Sequence, residues 1–206
     1  MNLHLLLAPL LLSTAAFGFE VTKNVNTGKP PEEKVVIFQK GQAADTLTFF
    51  DTESGRMALN ADGEIEARIT GNGEVKCGIH WKPRGDLGET FNTKDYGHVV
   101  ITCRMEGSNK TAGSDAPGQR PDNLWFPAVL FNAKGEVVGS ANLADGTPDG
   151  KTPDKTTTVV LPMMIFTYFG DHDSSQVRGI GFTWQKARAN VNRDYKLIIE
   201  KIALAE

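Results

Sequence analysis

Residues 177–204 read VRGIGFTWQKARANVNRDYKLIIEKIAL, and this stretch decides the fold class. Ile180, Phe182 and Trp184 alternate with Gly179, Gly181 and Thr183, and a second apolar run occupies residues 195–204 after a polar interval. Period-two alternation marks a strand buried on at least one face, so the chain closes on two strands. Working outward, further strand-like runs fall at residues 35–38, 46–50, 56–60, 64–70, 74–82, 98–105, 124–131, 136–143 and 156–162. Glu53-Ser54-Gly55, Ala61-Asp62-Gly63, Gly71-Asn72-Gly73 and Ala133-Lys134-Gly135 separate several of them with turn residues. About ten short strands without an amphipathic helix of useful length predict an all-β, antiparallel sandwich or barrel.

Parity assigns faces. In residues 74–82, Val75, Cys77, Ile79 and Trp81 share one face, with Lys76, Gly78 and His80 on the other. In residues 98–105, Val99, Ile101, Cys103 and Met105 oppose His98, Val100, Thr102 and Arg104. Both cysteines therefore point at the core. Cys77 and Cys103 form a disulfide if their strands are neighbours with Cα atoms within ~7 Å, and otherwise pack as two inert buried thiols. Residues 124–131 carry apolar side chains at both parities, which predicts a central strand or one covered on its second face. Long connections at residues 83–97, 107–123, 144–155 and 165–175 are where a binding site is expected, or on the sheet beneath them.

Residues 5–16 form an apolar run too short for a bilayer span, and Ala16 and Gly18 place small residues where a signal peptidase reads. The division expected is a signal peptide over residues 1–18, an extended leader over 19–33 containing Pro30-Pro31, and one domain over 34–206. The product is then secreted or periplasmic, with no membrane insertion. Hydrophobic residues at 40% and charged residues at 23% fit one ordinary globular monomer. A net charge of −3 gives no electrostatic reason for a nucleic-acid or anionic-membrane partner.

Catalytic strings are missing from the sequence: there is no Gly-x-Ser-x-Gly and no His-Glu-x-x-His. Glu64-Ile65-Glu66 places two acids on one strand face, which reads as a solvated face. Asp145-x-Thr147-x-Asp149-Gly150 has calcium-loop spacing but Thr156 where the bidentate Glu belongs, so a polar loop is expected. Asp171-His172-Asp173 and Arg84-Gly85-Asp86 read as polar turns, and Asn109-Lys110-Thr111 is a glycosylation sequon.

The closing strands, Val177-x-Gly179-Ile180-x-Phe182 and Tyr195-x-Leu197-x-Ile199-Glu200-x-Ile202-x-Leu204, resemble the last two strands of β-jelly-roll carbohydrate-binding modules and their galactose-binding-like relatives. Residues 91–97 (FNTKDYG) and 158–162 (TVVLP) extend the resemblance. It implies a jelly-roll sandwich with long loops and a non-catalytic domain that binds a poly- or oligosaccharide. It also implies a structural calcium held by Glu200, which stands where the family carries an acidic residue. A divergent jelly-roll glycoside hydrolase or polysaccharide lyase, and a structural envelope or adhesion protein, are the rival readings. Sugar rings stack on aromatic faces and bond planar polar groups. Trp125 and Tyr168 lie beside long loops, and His80 and Arg104 face away from the cysteines, which makes these four the ligand candidates. Trp81 and Trp184 share parity with core residues and are expected inside.

Exported material is expected to begin at Phe19. Terminal sequencing of the secreted protein checks this, and an intact Met1 in exported material would overturn it.

Overall fold

The computed structural model describes residues 31–52, 55–69, 75–109, 127–151, 153–169, 173–184 and 193–206. Two antiparallel six-stranded sheets pack face to face as a β-sandwich of jelly-roll type. The first sheet holds β1 (Glu33–Gln39), β3 (Gly55–Leu59), β4 (Ile65–Ile69), β6 (His98–Asn109), β9 (Thr157–Pro162) and β12 (Arg193–Ala205). The second holds β2 (Leu47–Phe50), β5 (Val75–Trp81), β7 (Pro127–Phe131), β8 (Val137–Asn142), β10 (Thr167–Tyr168) and β11 (Gly179–Trp184), in the order β10-β8-β7-β11-β5-β2. The expected signal peptide over residues 1–18 and most of the expected leader lie outside the described residues.

The spine of the first sheet is β12, which pairs with β6 from Arg193↔Asn109 to Ala205↔His98. Its other edge is shared, with β4 along Lys196 to Ile199 and β1 along the second half. A register shift between Ile199 and Lys201 leaves Glu200 as an extra residue, and a bulge of this kind resets side-chain alternation. Leu197 and Ile199 before it, and Ile202 and Leu204 after it, consequently all point into the core. The Glu200 carbonyl accepts a 2.7 Å bond from the Lys40 amide, where the chain leaves β1.

Ile180 and Phe182 of β11 and Cys77, Ile79 and Trp81 of β5 meet the inward row of β6 across the core. Trp81 stacks on Phe91 at 5.8 Å and its Nε1 donates to the Gly88 carbonyl at 3.0 Å, so this ring is core, as its parity predicts. All five residues of β7 are buried between β8 and β11, which is why both of its parities are apolar. The expected loop over 165–175 contains β10, a two-residue strand held to β8 by Thr167↔Ser140 and Tyr168↔Gly139. A segment that short has no periodicity to read, and its partner supplies the structure.

The cysteine expectation resolves toward thiols. Cys77 is on β5 of one sheet and Cys103 on β6 of the other, so their strands are not hydrogen-bonded neighbours, and both are free and buried. Burial pushes each thiol up to about 12, aided by the negative charges of Asp51 for Cys77 and Glu200 for Cys103. Native protein is therefore expected to react with no thiol reagent at neutral pH, and denatured, unreduced protein to give two equivalents. A denatured sample with no free thiol would overturn the free-thiol assignment.

Candidate functional site

The two outward faces of the sandwich differ in chemistry. The strands of the second sheet contain no Asp or Glu, and their titratable side chains other than the buried Cys77 and the phenol of Tyr168 are Lys76 and His80. The first sheet carries Glu66, Glu106 and Glu200 among its acids, with Arg68, Arg104 and Lys196 among its bases.

On the first sheet the charges satisfy one another. Glu64, buried to 2% exposure at the start of β4, takes both Nη atoms of Arg104 at 3.2 Å, Lys40 Nζ at 2.9 Å and Asn60 Nδ2 at 3.0 Å. The Arg104 guanidinium also reaches Glu106 at 3.0 Å and Glu200 at 3.1 Å, and Thr156 Oγ1 donates to Glu200 at 3.0 Å. Hydrogen bonds from Arg104, and then from Asn60 and Lys40, outweigh burial and hold the Glu64 carboxyl down to about 2. A general acid requires the opposite shift. Glu200 meets a guanidinium where a cation-binding acid would meet further oxygens, and no metal-holding group of three or more His, Cys, Asp or Glu occurs among the described residues. The Asp145–Gly150 loop closes on itself: Thr147 Oγ1 donates to the carbonyls of Ala144 and Lys151, and Asp149 Oδ1 accepts from the Lys151 amide. Arg84, of the Arg-Gly-Asp string, points into the protein and donates to the carbonyls of Val36 and Ile37.

The outward face of the second sheet is built on glycine. Register places Phe50 opposite Gly78 and Gly78 opposite Gly181, while His80 stands opposite Thr48 and Gly179. Residues directly opposite in an antiparallel pair share a face, so three glycines floor one shallow furrow across β5 and β11. Phe50 and His80 lie down on this floor. A Cβ on Gly78 would come within 2.5 Å of Phe50 Cζ, and one on Gly179 within 2.5 Å of His80 Cδ2. Gly181 is closed to any side chain, because a Cβ there would sit 2.1 Å from the Cys77 carbonyl oxygen. The rings are contiguous: Phe50 to His80 at 4.8 Å, Phe50 edge-on to Phe131 at 4.9 Å, and Lys76 Nζ 5.3 Å from the Phe131 centroid.

His80 is half-buried, and burial, then the charge of Arg178, lower its pKa, so the imidazole is neutral at neutral pH. Its Nε2 is buried without a hydrogen-bond partner. Arg178 is occupied in fixing the neighbouring loop, donating from Nη1 to the carbonyls of Trp81 at 2.6 Å and Glu89 at 2.8 Å.

The three sequence-derived ligand candidates among the described residues, His80, Arg104 and Tyr168, do not converge. His80 lies on the second sheet and Arg104 on the first, on opposite outer surfaces. Both face away from the cysteine of their own strand, but the strands belong to different layers. Tyr168 is on edge strand β10, four strand spacings or ~19 Å from β5. Its ring packs over Gly139 and its hydroxyl donates to the Met163 carbonyl at 3.1 Å. Exposed Phe169 and Met164 accompany it. Trp125 and the pair Asp171-His172 lie outside the described residues, as does most of the sequon that begins at Asn109. Phe50, Phe131 and Lys76 were not among the candidates. The signal for them is the run of glycines at outward parity, Gly78 with Gly179 and Gly181, which leaves room for an aromatic ring from a neighbouring strand.

No family model matches the chain, and no curated protein matches it. Among solved structures the chain is similar to a β-1,2-glucanase from Parabacteroides distasonis, with a TM-score of 0.52 and 12% identity over 84% of this chain. The match covers 25% of that chain, so this protein spans about a quarter of the glucanase. A family 29 carbohydrate-binding module from Piromyces equi aligns with a TM-score of 0.45 at 9% identity, over 84% of this chain and 89% of that one. An arabinose-bound α-L-arabinofuranosidase aligns at 0.41 and 12%, over 84% and 25% respectively. At such identities the likeness is one of fold.

Glu64 titrates well below the ~4.3 of an unfolded glutamate, so the stability it contributes is complete above pH ~4.5 and is lost as pH falls toward 2. Glu64→Gln is expected to lower stability by about 1–3 kcal/mol at pH 7, since it removes the buried carboxylate charge that Arg104 and Lys40 share, and to flatten the acid limb of the stability curve. Urea unfolding between pH 7 and pH 2 measures both; an unchanged acid limb would overturn the assignment.

Proposed function

We propose that this chain is an exported, non-catalytic domain that binds carbohydrate on the outward face of its second sheet. The observation that carries the reading is the glycine-floored furrow, where the half-buried rings of Phe50 and His80 lie over Gly78 and Gly179 beside Lys76. A pyranose ring has an apolar face and an equatorial belt of hydroxyls. The half-buried Phe50 ring suits the first, and the Lys76 ammonium suits the second. The resemblance of the two closing strands to jelly-roll carbohydrate-binding modules supports the same class. Against an enzyme reading stands the state of the acids: the strands under the furrow hold none, and Glu64 is locked in ion pairs on the other face. Tyr168 with Phe169, at the β10 edge of the sheet, remain candidate contacts, and Trp125 remains one on the sequence alone.

Stacking against a hydrated ligand leaves little net free energy, so affinity is expected in the micromolar to millimolar range, roughly −4 to −8 kcal/mol. Phe50→Ala and His80→Ala should each weaken retention on an immobilised glycan about tenfold, with Tyr168→Ala and Trp125→Ala run alongside. Unfolding midpoints are the control, since loss of a core aromatic costs about 3–5 kcal/mol. A wild-type protein that binds nothing across a broad glycan panel, or furrow variants that bind normally, would overturn the reading.

A further inference from the structure

The furrow's charge identifies its ligand more narrowly, and this step rests on the carbohydrate reading above. The strands of the second sheet carry Lys76 as their one permanent charge and no carboxylate to neutralise it. Several bases on the strands of the first sheet are paired instead: Arg68, Arg104, Lys196 and Lys201 all stand within ion-pair distance of glutamates. Lys76 instead holds its ammonium 5.3 Å above the Phe131 ring, without a carboxylate partner among the described residues. Asp51, which follows β2, turns its Oδ1 to the Met57 amide at 2.8 Å. Among the described residues, a ligand arriving at the furrow thus meets one unneutralised cation beside the half-buried Phe50 ring, with no acid on these strands to repel a negative group.

We propose that the furrow takes an acidic polysaccharide, a chain containing uronate residues, whose carboxylate meets Lys76 Nζ while a ring of the chain lies on Phe50. A neutral glucan leaves the lysine unused. A phosphate-rich partner such as nucleic acid would need several cations where the strands supply one.

Affinity electrophoresis of the full-length mature protein tests this, using gels containing polygalacturonate or alginate against gels containing hydroxyethylcellulose or mannan. Wild type should be retarded more strongly by the acidic polymers, and Lys76→Met should lose about threefold to fivefold of that retardation at low salt. Lys76→Glu should abolish the preference, and Lys155→Met, which lies before β9 on the other sheet, should leave it intact. Raising salt to 0.5 M should erase the acidic preference while leaving stacking in place. Retardation by neutral polymers alone, or an acidic preference that survives Lys76→Met, would overturn the uronate assignment and leave the binding face standing. No retardation by any polymer would overturn both.

Discussion

The antiparallel ladder between β6 and β12 is the constraint on which the rest of the sandwich depends. It runs the full length of both strands, and every inward side chain of the first sheet's centre takes its direction from that register. The bulge at Glu200 is what allows so long a strand to serve two neighbours. Beyond it, alternation is reset, the pairing edge passes from β4 to β1, and the core row continues unbroken. The same ladder puts Arg104 within reach of Glu64, Glu106 and Glu200, so the outward side of the bulge is closed by ion pairs. With that face satisfied, the unsatisfied chemistry of the molecule is left to the second sheet.

Much of the architecture can be read along the chain. The spacing Leu197, Ile199, Ile202, Leu204 already contains the phase change of the bulge, and the two-parity run ending at Phe131 announces a strand buried on both sides. The inward direction of Cys77, Cys103 and Trp81 follows from alternation alone. Alternation, however, assigns a face relative to a strand's own sheet, and which sheet a strand joins is decided by pairings distant in sequence. That gap separates His80 from Arg104 and Cys77 from Cys103, which local parity treats as equivalent. Phe50 was invisible for a related reason, since its role exists only because Gly78 and Gly181 stand in the same row across two other strands.

Rigidity and recognition are joined in the furrow. A glycine row normally weakens a sheet by leaving nothing to pack, yet here the rings of Phe50 and His80 cover the row and recover contact area. Rings held against the backbone beneath them have few rotamers left to lose. A ligand stacking on them therefore meets a surface whose ordering cost was met during folding.

The acid-free strands of the second sheet have one more consequence, for association between copies. Its free edges are β2 and β10, and neither carries the lysine, acid or proline that guards most exposed strands. What limits edge-to-edge pairing is brevity, because four residues on one side and two on the other offer another chain only a short template. Lengthening either edge, even by a residue or two of β-branched sequence, would remove the only safeguard that these strands themselves possess.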